Sequence, residues 1–256
     1  MPAPIRVLAL FAHPDDMEFM CAGTLAHLAD KGAVIHVATM TAGDCGSTVM
    51  SAAKISRVRQ KEAARSARLI GGTYTCLKEK DLFVLYERRQ IRKTLEIVRR
   101  VKPELVFTHS PSDYMLDHEI TSHLVKTACF GALIPNFKTG AKPAAKHTQG
   151  VPHLYYMIPF GGRDILGNQV RPRFCVDVTT TIDRKEKMLA CHESQFEWLK
   201  AHQEITGPLL TMREMAKDAG KLVEFESAEG FRQHLGQGFP QNNLLAEILS
   251  DLVREV

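Results

Sequence analysis

The chain has 256 residues, of which 45% are hydrophobic and 24% are charged, and its formal net charge is +4. This composition is typical of a folded globular protein and excludes a disordered or fibrous one. The small, dispersed positive charge argues against a nucleic-acid-binding surface, and no apolar stretch is long enough to predict a membrane span.

The cysteines are widely spaced along the chain and form no CxxC pair: Cys21, Cys45, Cys76, Cys129, Cys175 and Cys191. A chain of this length can build its core without disulfides, so we expect free thiols in a reducing compartment. The first residues lead directly into an apolar strand and lack the order of basic, apolar and small residues of a secretion signal. We therefore expect a cytoplasmic protein.

The first forty residues predict a strand, a helix and a second strand. Residues 5–12 are a continuous apolar run, typical of a buried parallel strand, and end in a His-Pro-Asp-Asp turn. Residues 18–31 carry apolar side chains at helical spacing and stop before Gly32, and residues 34–40 are a β-branched run. Together they predict a right-handed βαβ unit.

Strand and helix patterns continue to alternate along the rest of the chain. In chain order they predict a small-residue loop at 41–51, a helix at 55–69 closed by Gly71 and Gly72, a helix at 88–101, a short buried strand at 105–108, a loop at 109–118, a helix at 119–130, strands at 154–158 and 173–178, and a long helix from 183 towards 200.

This alternation implies a three-layer α/β/α sandwich with a Rossmann-like, mostly parallel sheet. We expect a single domain over residues 1–256, with a core at about 5–200 and a helical C-terminal extension at about 201–256. Phe231, Phe239 and Leu244 in this tail fit either a core or a subunit interface, and we favour a homo-oligomer.

Ligands of such sheets bind outside the carboxyl ends of the strands. Two segments rich in ionisable side chains, after Ala12 and after Thr108, lie at these ends. Residues 135–152 are rich in Lys, Gly, Ala and Pro without periodicity, so we expect a mobile loop beside the site. We expect residues 136–153 and the tail to set the choice of substrate.

Four ionisable residues crowd directly after the first strand: His13, Asp15, Asp16 and Glu18. So much charge at a buried strand end is costly unless a divalent cation neutralises it. His and carboxylate ligands are typical of catalytic zinc, and His118 is the best remote ligand. The alternative is that Asp16 only caps the helix after the turn, and that Asp117 only caps the helix at 119–130.

The sequence resembles the LmbE-like or PIG-L family of N-acetylglucosaminyl deacetylases in five segments: AHPDDMEFMCAGT at 12–24, TAGDCG at 41–46, RxxEAxxxAxxIG at 59–71, SDYMLDHEIT at 112–121 and VDVTTTIDRKEKMLACHESQ at 176–195. They stand in the right order and cover most of residues 5–200, which is more specific than any single match. The resemblance implies a zinc-dependent amidase that acts on a small-molecule N-acetylated sugar or glycoconjugate.

The resemblance implies that His13, Asp16 and His118 bind the metal ion and that Asp15 is the general base for the metal-bound water. Zinc lowers the pKa of bound water, and a neighbouring carboxylate that does not bind the metal can accept its proton. Iron, cobalt and manganese suit the same ligands. The resemblance also implies that Arg59 orients Asp15 or binds substrate; otherwise Arg59 is a solvated helix charge.

Three further candidates each have two interpretations. Asp117 belongs to the catalytic group beside His118, or it caps a helix. His192, in the HESQ segment, lines the pocket or is buried by its own helix. Asp81, which aligns with a family aspartate, binds a sugar hydroxyl or starts a turn.

The sequence departs from the family pattern at Met115. Many members have His-Pro-Asp-His where this chain has Met-Leu-Asp-His at 115–118, and methionine cannot donate a proton. The role of donor to the leaving amine then passes to His109, Tyr114, His192 or water. We favour Asp15, which would return to the amine the proton that it takes from water.

Two other functions stay open. The chain is a non-catalytic sugar or metal binder if the loss of the histidine has cost it turnover. It is a nucleotide-binding α/β module if the His-Pro-Asp-Asp segment is only a capped turn.

Overall fold

The structure, a computed structural model, describes residues 3–203 and 207–256. Within these ranges the strands are β1 (Arg6–Phe11), β2 (Val34–Thr41), β3 (Thr73–Glu79), β4 (Leu105–Thr108), β5 (His153–Met157), β6 (Phe174–Asp177), β7 (Ala228–Gln233) and β8 (Val253–Glu255). The helices are α1 (Asp16–Met20), α2 (Ala22–Asp30), α3 (Ala52–Arg68), α4 (Arg88–Val101), α5 (Leu116–Gly131), α6 (Ile182–Leu189), α7 (Glu193–Gln203), α8 (Pro208–Lys221) and α9 (Leu244–Leu249).

The described strands form one eight-stranded sheet in the order β3-β2-β1-β4-β5-β7-β6-β8. The strands from β3 to β5 in this order pair in parallel, whereas β7, β6 and β8 pair antiparallel. Helices cover both faces. The predicted three-layer α/β/α sandwich with a mostly parallel sheet is confirmed.

The central strand β1 is buried on both of its faces. Val7, Ala9 and Phe11 contribute to the core on one side of the sheet, and Leu8 and Leu10 contribute to the core on the other. All five side chains are fully buried. A strand that packs against helices on both sides needs such a continuous apolar run, which is why its position could be predicted from the sequence.

Two predicted helices are each broken into two. The helix expected at 18–31 is interrupted at Cys21, whose φ of −146° is not helical, and forms α1 and α2. The break lets the backbone N–H groups of Gly23 and Thr24 donate to the buried carboxylate of Glu229 at 2.9 and 2.7 Å. The helix expected from 183 towards 200 is likewise divided into α6 and α7.

The C-terminal extension is helical only in part, which corrects the expectation of a helical tail. α8 and α9 are helices, but β7 inserts between β5 and β6, and β8 forms the edge beyond β6. Phe231 and Phe239 are buried in the core and Leu244 packs against it, so these residues give no support for a subunit interface.

The loop at 135–152 lies at the opposite end of the sheet from the carboxyl ends of the strands. Helix α5 runs back along the sheet, and the loop that follows packs on α4, where Ala145 N donates to Glu96 at 3.0 Å. The loop ends at His153, whose N–H donates to Glu104 O beside the start of β4. The expectation that this loop borders the site is therefore wrong.

The cysteines are free thiols, as expected. In the part of the chain that the structure describes, no helix has both the length and the apolar character that a membrane crossing needs.

Candidate active site

The His-Pro-Asp-Asp turn connects the end of β1 to the start of α1. Asp15 has a φ of 99°, in the left-handed region that residues other than glycine rarely adopt. Its side chain makes no capping hydrogen bond, and Asp16 Oδ2 instead accepts from His13 N at 2.7 Å. The turn therefore does not fit the alternative of a simple helix cap. Its strained backbone presents the side chains at the carboxyl end of β1.

His118 lies in the first turn of α5, although the sequence predicted a loop there. This helix begins at Leu116, so Asp117 and His118 are both held by regular backbone and both are buried. Asp117 does not cap the helix. Its Oδ2 accepts from Leu82 N at 2.7 Å, in the turn after β3.

The three predicted metal ligands converge. One ligand atom from each of His13, Asp16 and His118 lies within 4.8 Å of the other two. His13 Nδ1 is 3.4 Å from Asp16 Oδ2, and His118 Nε2 is 3.6 Å from Asp16 Oδ1. Two imidazoles and one carboxylate at this spacing fit a divalent cation that keeps open positions for other ligands.

A second carboxylate holds each of the two histidine rings. His13 Nε2 is 3.1 Å from Asp117 Oδ2, and His118 Nδ1 is 2.9 Å from Asp113 Oδ1. Each ring thus keeps its other nitrogen towards Asp16. Metal-binding histidines have this arrangement, because an outer carboxylate fixes the orientation and tautomer of the ring.

The electrostatics of the cluster favour a positive charge. Burial lowers the pKa of His13, but its hydrogen bonds to Asp117 and Asp16 outweigh burial and raise the pKa to about 10. The same carboxylates that stabilise a protonated ring would stabilise a metal cation. The donor set and its surroundings therefore fit a divalent metal ion.

A second grouping of possible ligands, His109, Asp113 and His118, shares one histidine with the first. His109 Nε2 accepts from Ala12 N at 3.0 Å, and Asp113 is engaged by His118, so fewer of their lone pairs are free. Burial, with a further contribution from His118, lowers the pKa of His109 to about 4. His109 is therefore neutral at pH 7, and it stacks on His118 with ring centres 3.8 Å apart.

Arg59 is buried beside Asp15, which excludes the alternative of a solvated helix charge. It is 4% exposed, and its NH2 lies 3.2 Å from Asp15 Oδ1 and donates to Pro14 O at 2.5 Å. Burial raises the pKa of Asp15 to about 6, although the Arg59 charge opposes this. A carboxyl group with that pKa can both accept and release a proton near neutral pH.

Gly43 makes room for the arginine. Its φ is +70°, and a Cβ built on it would lie 2.1 Å from Arg59 NH1. A side chain at this position would therefore displace the guanidinium from Asp15 and strain the backbone.

His192 does not line the cavity. It is fully buried, and its Nε2 lies 2.9 Å from Glu18 Oε1, which also accepts from Ser66 Oγ. Burial lowers the pKa of His192, but the Glu18 carboxylate outweighs burial and raises it. His192 belongs to a polar cluster behind the cavity, so of its two interpretations the structure supports burial.

A cavity of about 230 Å³ opens beside the cluster. Its wall includes predicted residues, among them Asp15, Arg59 and Asp81, and others that the sequence did not point to: Met20, Cys45, Leu82, Phe160, Trp198 and Leu199. Trp198 and Leu199 follow Gln195 by three and four residues, so helical spacing from the HESQ segment was a signal for them. Phe160 lies in the loop after β5, and no pattern marks it.

Comparison with known proteins agrees with this geometry. Residues 8–129 match the model of the PIG-L family, described as GlcNAc-PI de-N-acetylase. The 4-oxalmesaconate hydratase of Pseudomonas putida is 26% identical over 73% of this chain and 73% of its own length. The diacetylchitobiose deacetylase of Thermococcus kodakarensis is 27% identical over 89% of this chain and 82% of its own length.

A solved structure shares the whole architecture. The N,N'-diacetylchitobiose deacetylase from Pyrococcus horikoshii superimposes with a TM-score of 0.75 at 25% identity, over 93% of this chain and 88% of that one. Family match, relatives and fold agree that residues 8–129 belong to a PIG-L (LmbE-like) family domain.

Proposed function

We propose that the protein is a zinc-dependent hydrolase that removes the acetyl group from an N-acetylated amino sugar or glycoconjugate. The observation that carries the proposal is the arrangement of His13, Asp16 and His118 beside Asp15, a carboxylate outside the ligand group that is held by Arg59. A zinc ion held by the first three residues would polarise the acetamide carbonyl and lower the pKa of a nearby water molecule.

Asp15 is the group suited to move protons. At neutral pH its carboxylate accepts the proton of the attacking water, and its pKa of about 6 allows it to return that proton to the leaving amine. Arg59 holds the carboxylate in place during both transfers. Tyr114, whose hydroxyl stays protonated because burial raises its pKa, supplies a hydrogen-bond donor for the negative charge that develops on the carbonyl oxygen.

The cavity wall supports a sugar over a highly charged substrate. Tyr114, Phe160 and Trp198 provide aromatic surface on its wall. Arg59 is already paired with Asp15, while Asp81 adds negative charge. A neutral polyhydroxylated substrate suits such a lining, whereas a polycarboxylate would meet repulsion.

A hydratase is the second candidate, and Met115 is the observation that favours it. Addition of water to a carbon–carbon double bond releases no amine. Replacement of the usual histidine by Met115 would therefore slow hydration less than it would slow deacetylation. The similarity to the hydratase of Pseudomonas putida supports this candidate. The negative charge of the wall makes it the second choice.

The test measures acetate release from N-acetylglucosamine and diacetylchitobiose by the purified, zinc-loaded protein. We expect turnover that falls at least about 100-fold in Asp15→Asn and is abolished by a chelator. Asp164→Asn, in an exposed loop, is the matched control and should keep full activity. Water addition to 4-oxalmesaconate, followed by ultraviolet absorbance, tests the second candidate in parallel.

Each outcome has a distinct meaning. Hydration without acetate release would replace the first candidate by the second. Binding of zinc and sugar without either reaction would show a non-catalytic binder and would overturn both proposals.

A further inference from the structure

A second group of potential metal ligands, Asp44, Cys45 and Asp81, includes two residues that line the same cavity. Asp44 and Cys45 belong to the loop after β2, and Asp81 belongs to the turn after β3. One ligand atom from each of these three residues lies within 4.8 Å of the other two. None of the three is among the residues that hold His13, Asp16 or His118 in place.

Asp81 has a buried oxygen without a partner. The residue is 6% exposed, and its Oδ2 accepts from Cys45 N at 2.8 Å, whereas its Oδ1 is buried and accepts no hydrogen bond. An unpaired carboxylate oxygen is costly to bury, and such atoms in folded proteins usually have a ligand. Because Asp81 also lines the cavity, that ligand can reach it.

Asp44 and Cys45 can bind a cation with little loss of existing interaction energy. Asp44 Oδ1 accepts from Asp81 N at 2.9 Å, and its Oδ2 is 2.9 Å from Lys80 Nζ. The Lys80 side chain is 68% exposed, so exchanging this ion pair for solvent costs little. Cys45 is exposed, and burial together with the charges of Asp81 and Asp44 raises the pKa of its thiol. A bound cation would act against those charges and lower the pKa of the thiol.

We propose that Asp44, Cys45 and Asp81 form a second divalent metal site, separate from the first and selective for zinc or a similar thiophilic ion. The thiolate supplies this preference, because magnesium and calcium take oxygen ligands. On binding, Cys45 releases its proton to solvent and its sulfur bonds the metal, so binding weakens as the pH falls.

The site is coupled to the first one through the backbone. Leu82, next to Asp81, donates its N–H to the Asp117 carboxylate that holds His13. Cys45 and Asp81 both line the cavity, so an ion between them narrows the path to the first site.

Cobalt titration of the metal-free full-length protein tests the site. The residues His13, Asp16 and His118 include no sulfur, so a thiolate-to-cobalt charge-transfer band in the near ultraviolet reports the second site alone. We expect the wild type to bind two equivalents of cobalt, and one of the two to give this band. Cys45→Ser should abolish the band but still bind one equivalent of cobalt at the first site. His118→Ala should keep the band but lose the equivalent that binds at the first site. Cys76→Ser, which changes a partly buried thiol outside the cluster, should leave the band unchanged.

A second variant distinguishes the loss of a metal ligand from a change in the fold. Asp81→Asn keeps the shape of the side chain, and we expect it to weaken the band-forming cobalt by roughly tenfold or more. Absence of the band from the wild type, or its survival in Cys45→Ser, would overturn the proposal. Neither readout depends on acetate release, so failure of the proposed function would leave this test unaffected.

Discussion

The Arg59 guanidinium lies 3.2 Å from the Asp15 carboxylate, and both side chains are buried. Since burial opposes ionisation of Asp15, the arginine favours the carboxylate that a general base requires. We expect Arg59→Ala to lower kcat by roughly 100-fold, a typical contribution of a general base, without loss of bound metal. Arg57→Ala, exposed on the same helix, is the control. Loss of metal at unchanged kcat per bound metal would show that Arg59 supports the ligand turn instead.

Gly43 and Gly32 offer a matched pair of substitutions. Both have positive φ, so alanine should destabilise the fold by about 1 kcal/mol at either position. A Cβ at Gly43 meets Arg59, however, whereas one at Gly32 meets open space. We expect Gly43→Ala to lower activity at least tenfold and Gly32→Ala to leave it unchanged, as measured by steady-state kinetics alongside urea unfolding. Equal activity of the two variants would argue against the positioning role of Arg59.

We expect Asp113 and Asp117 to act on a bound metal ion through the histidines that they hold. Replacing either by Asn keeps the size of the side chain but removes the charge that orients the ring. We expect a loss of about 10- to 100-fold in metal affinity, measured by competition with a chromophoric chelator. Asp164→Asn should have no effect, and unchanged affinity in both site variants would place the metal elsewhere.

The sequence predicts the central strands beside the site well, because a strand that is buried on both faces must have a continuous apolar sequence. β4 and α4 have the predicted bounds, and β1 differs from its prediction by one residue at each end. β3 was missed because it lies at the sheet edge and most of its residues are exposed or half-buried, with Thr and Lys among them. The tail was misjudged because β7 is short and polar, and it becomes a strand by pairing with β5 and β6.

The site could be predicted where short sequence spacing fixes geometry. His13 and Asp16 share one turn, and their proximity follows from four residues of sequence. Which carboxylate holds which ring could not be predicted, because Asp113 and Asp117 both precede His118 in sequence and only the path of α5 separates their roles. The burial of His192 against Glu18 likewise depends on how α6, which ends shortly before His192, packs on α1.

A buried ion pair connects helix α6 to the C-terminal strand β7. Lys185 Nζ is 2.7 Å from Glu229 Oε1, and both side chains are at most 2% exposed. Lys185→Met leaves the glutamate buried without its cation, so we expect a loss of about 3–5 kcal/mol in the free energy of unfolding. Adding Glu229→Gln should recover part of this loss. Lys187→Met, at an exposed position of the same helix, should change stability by less than about 0.5 kcal/mol in the same urea titration.

Substitutions at Met115 distinguish most clearly between the two candidate reactions. It lines the cavity at the start of α5, at the position where many family members have a histidine. If protonation of the leaving amine limits turnover, Met115→His should raise the rate of acetate release by roughly tenfold, because an imidazole can donate a proton that methionine cannot. Met115→Gln, which can form a hydrogen bond but cannot transfer a proton, should give no such gain. A hydration reaction has no amine to protonate, so its rate should not rise in either variant. Equal gains for His and Gln would mean that hydrogen bonding to the substrate, rather than proton transfer, is what position 115 lacks.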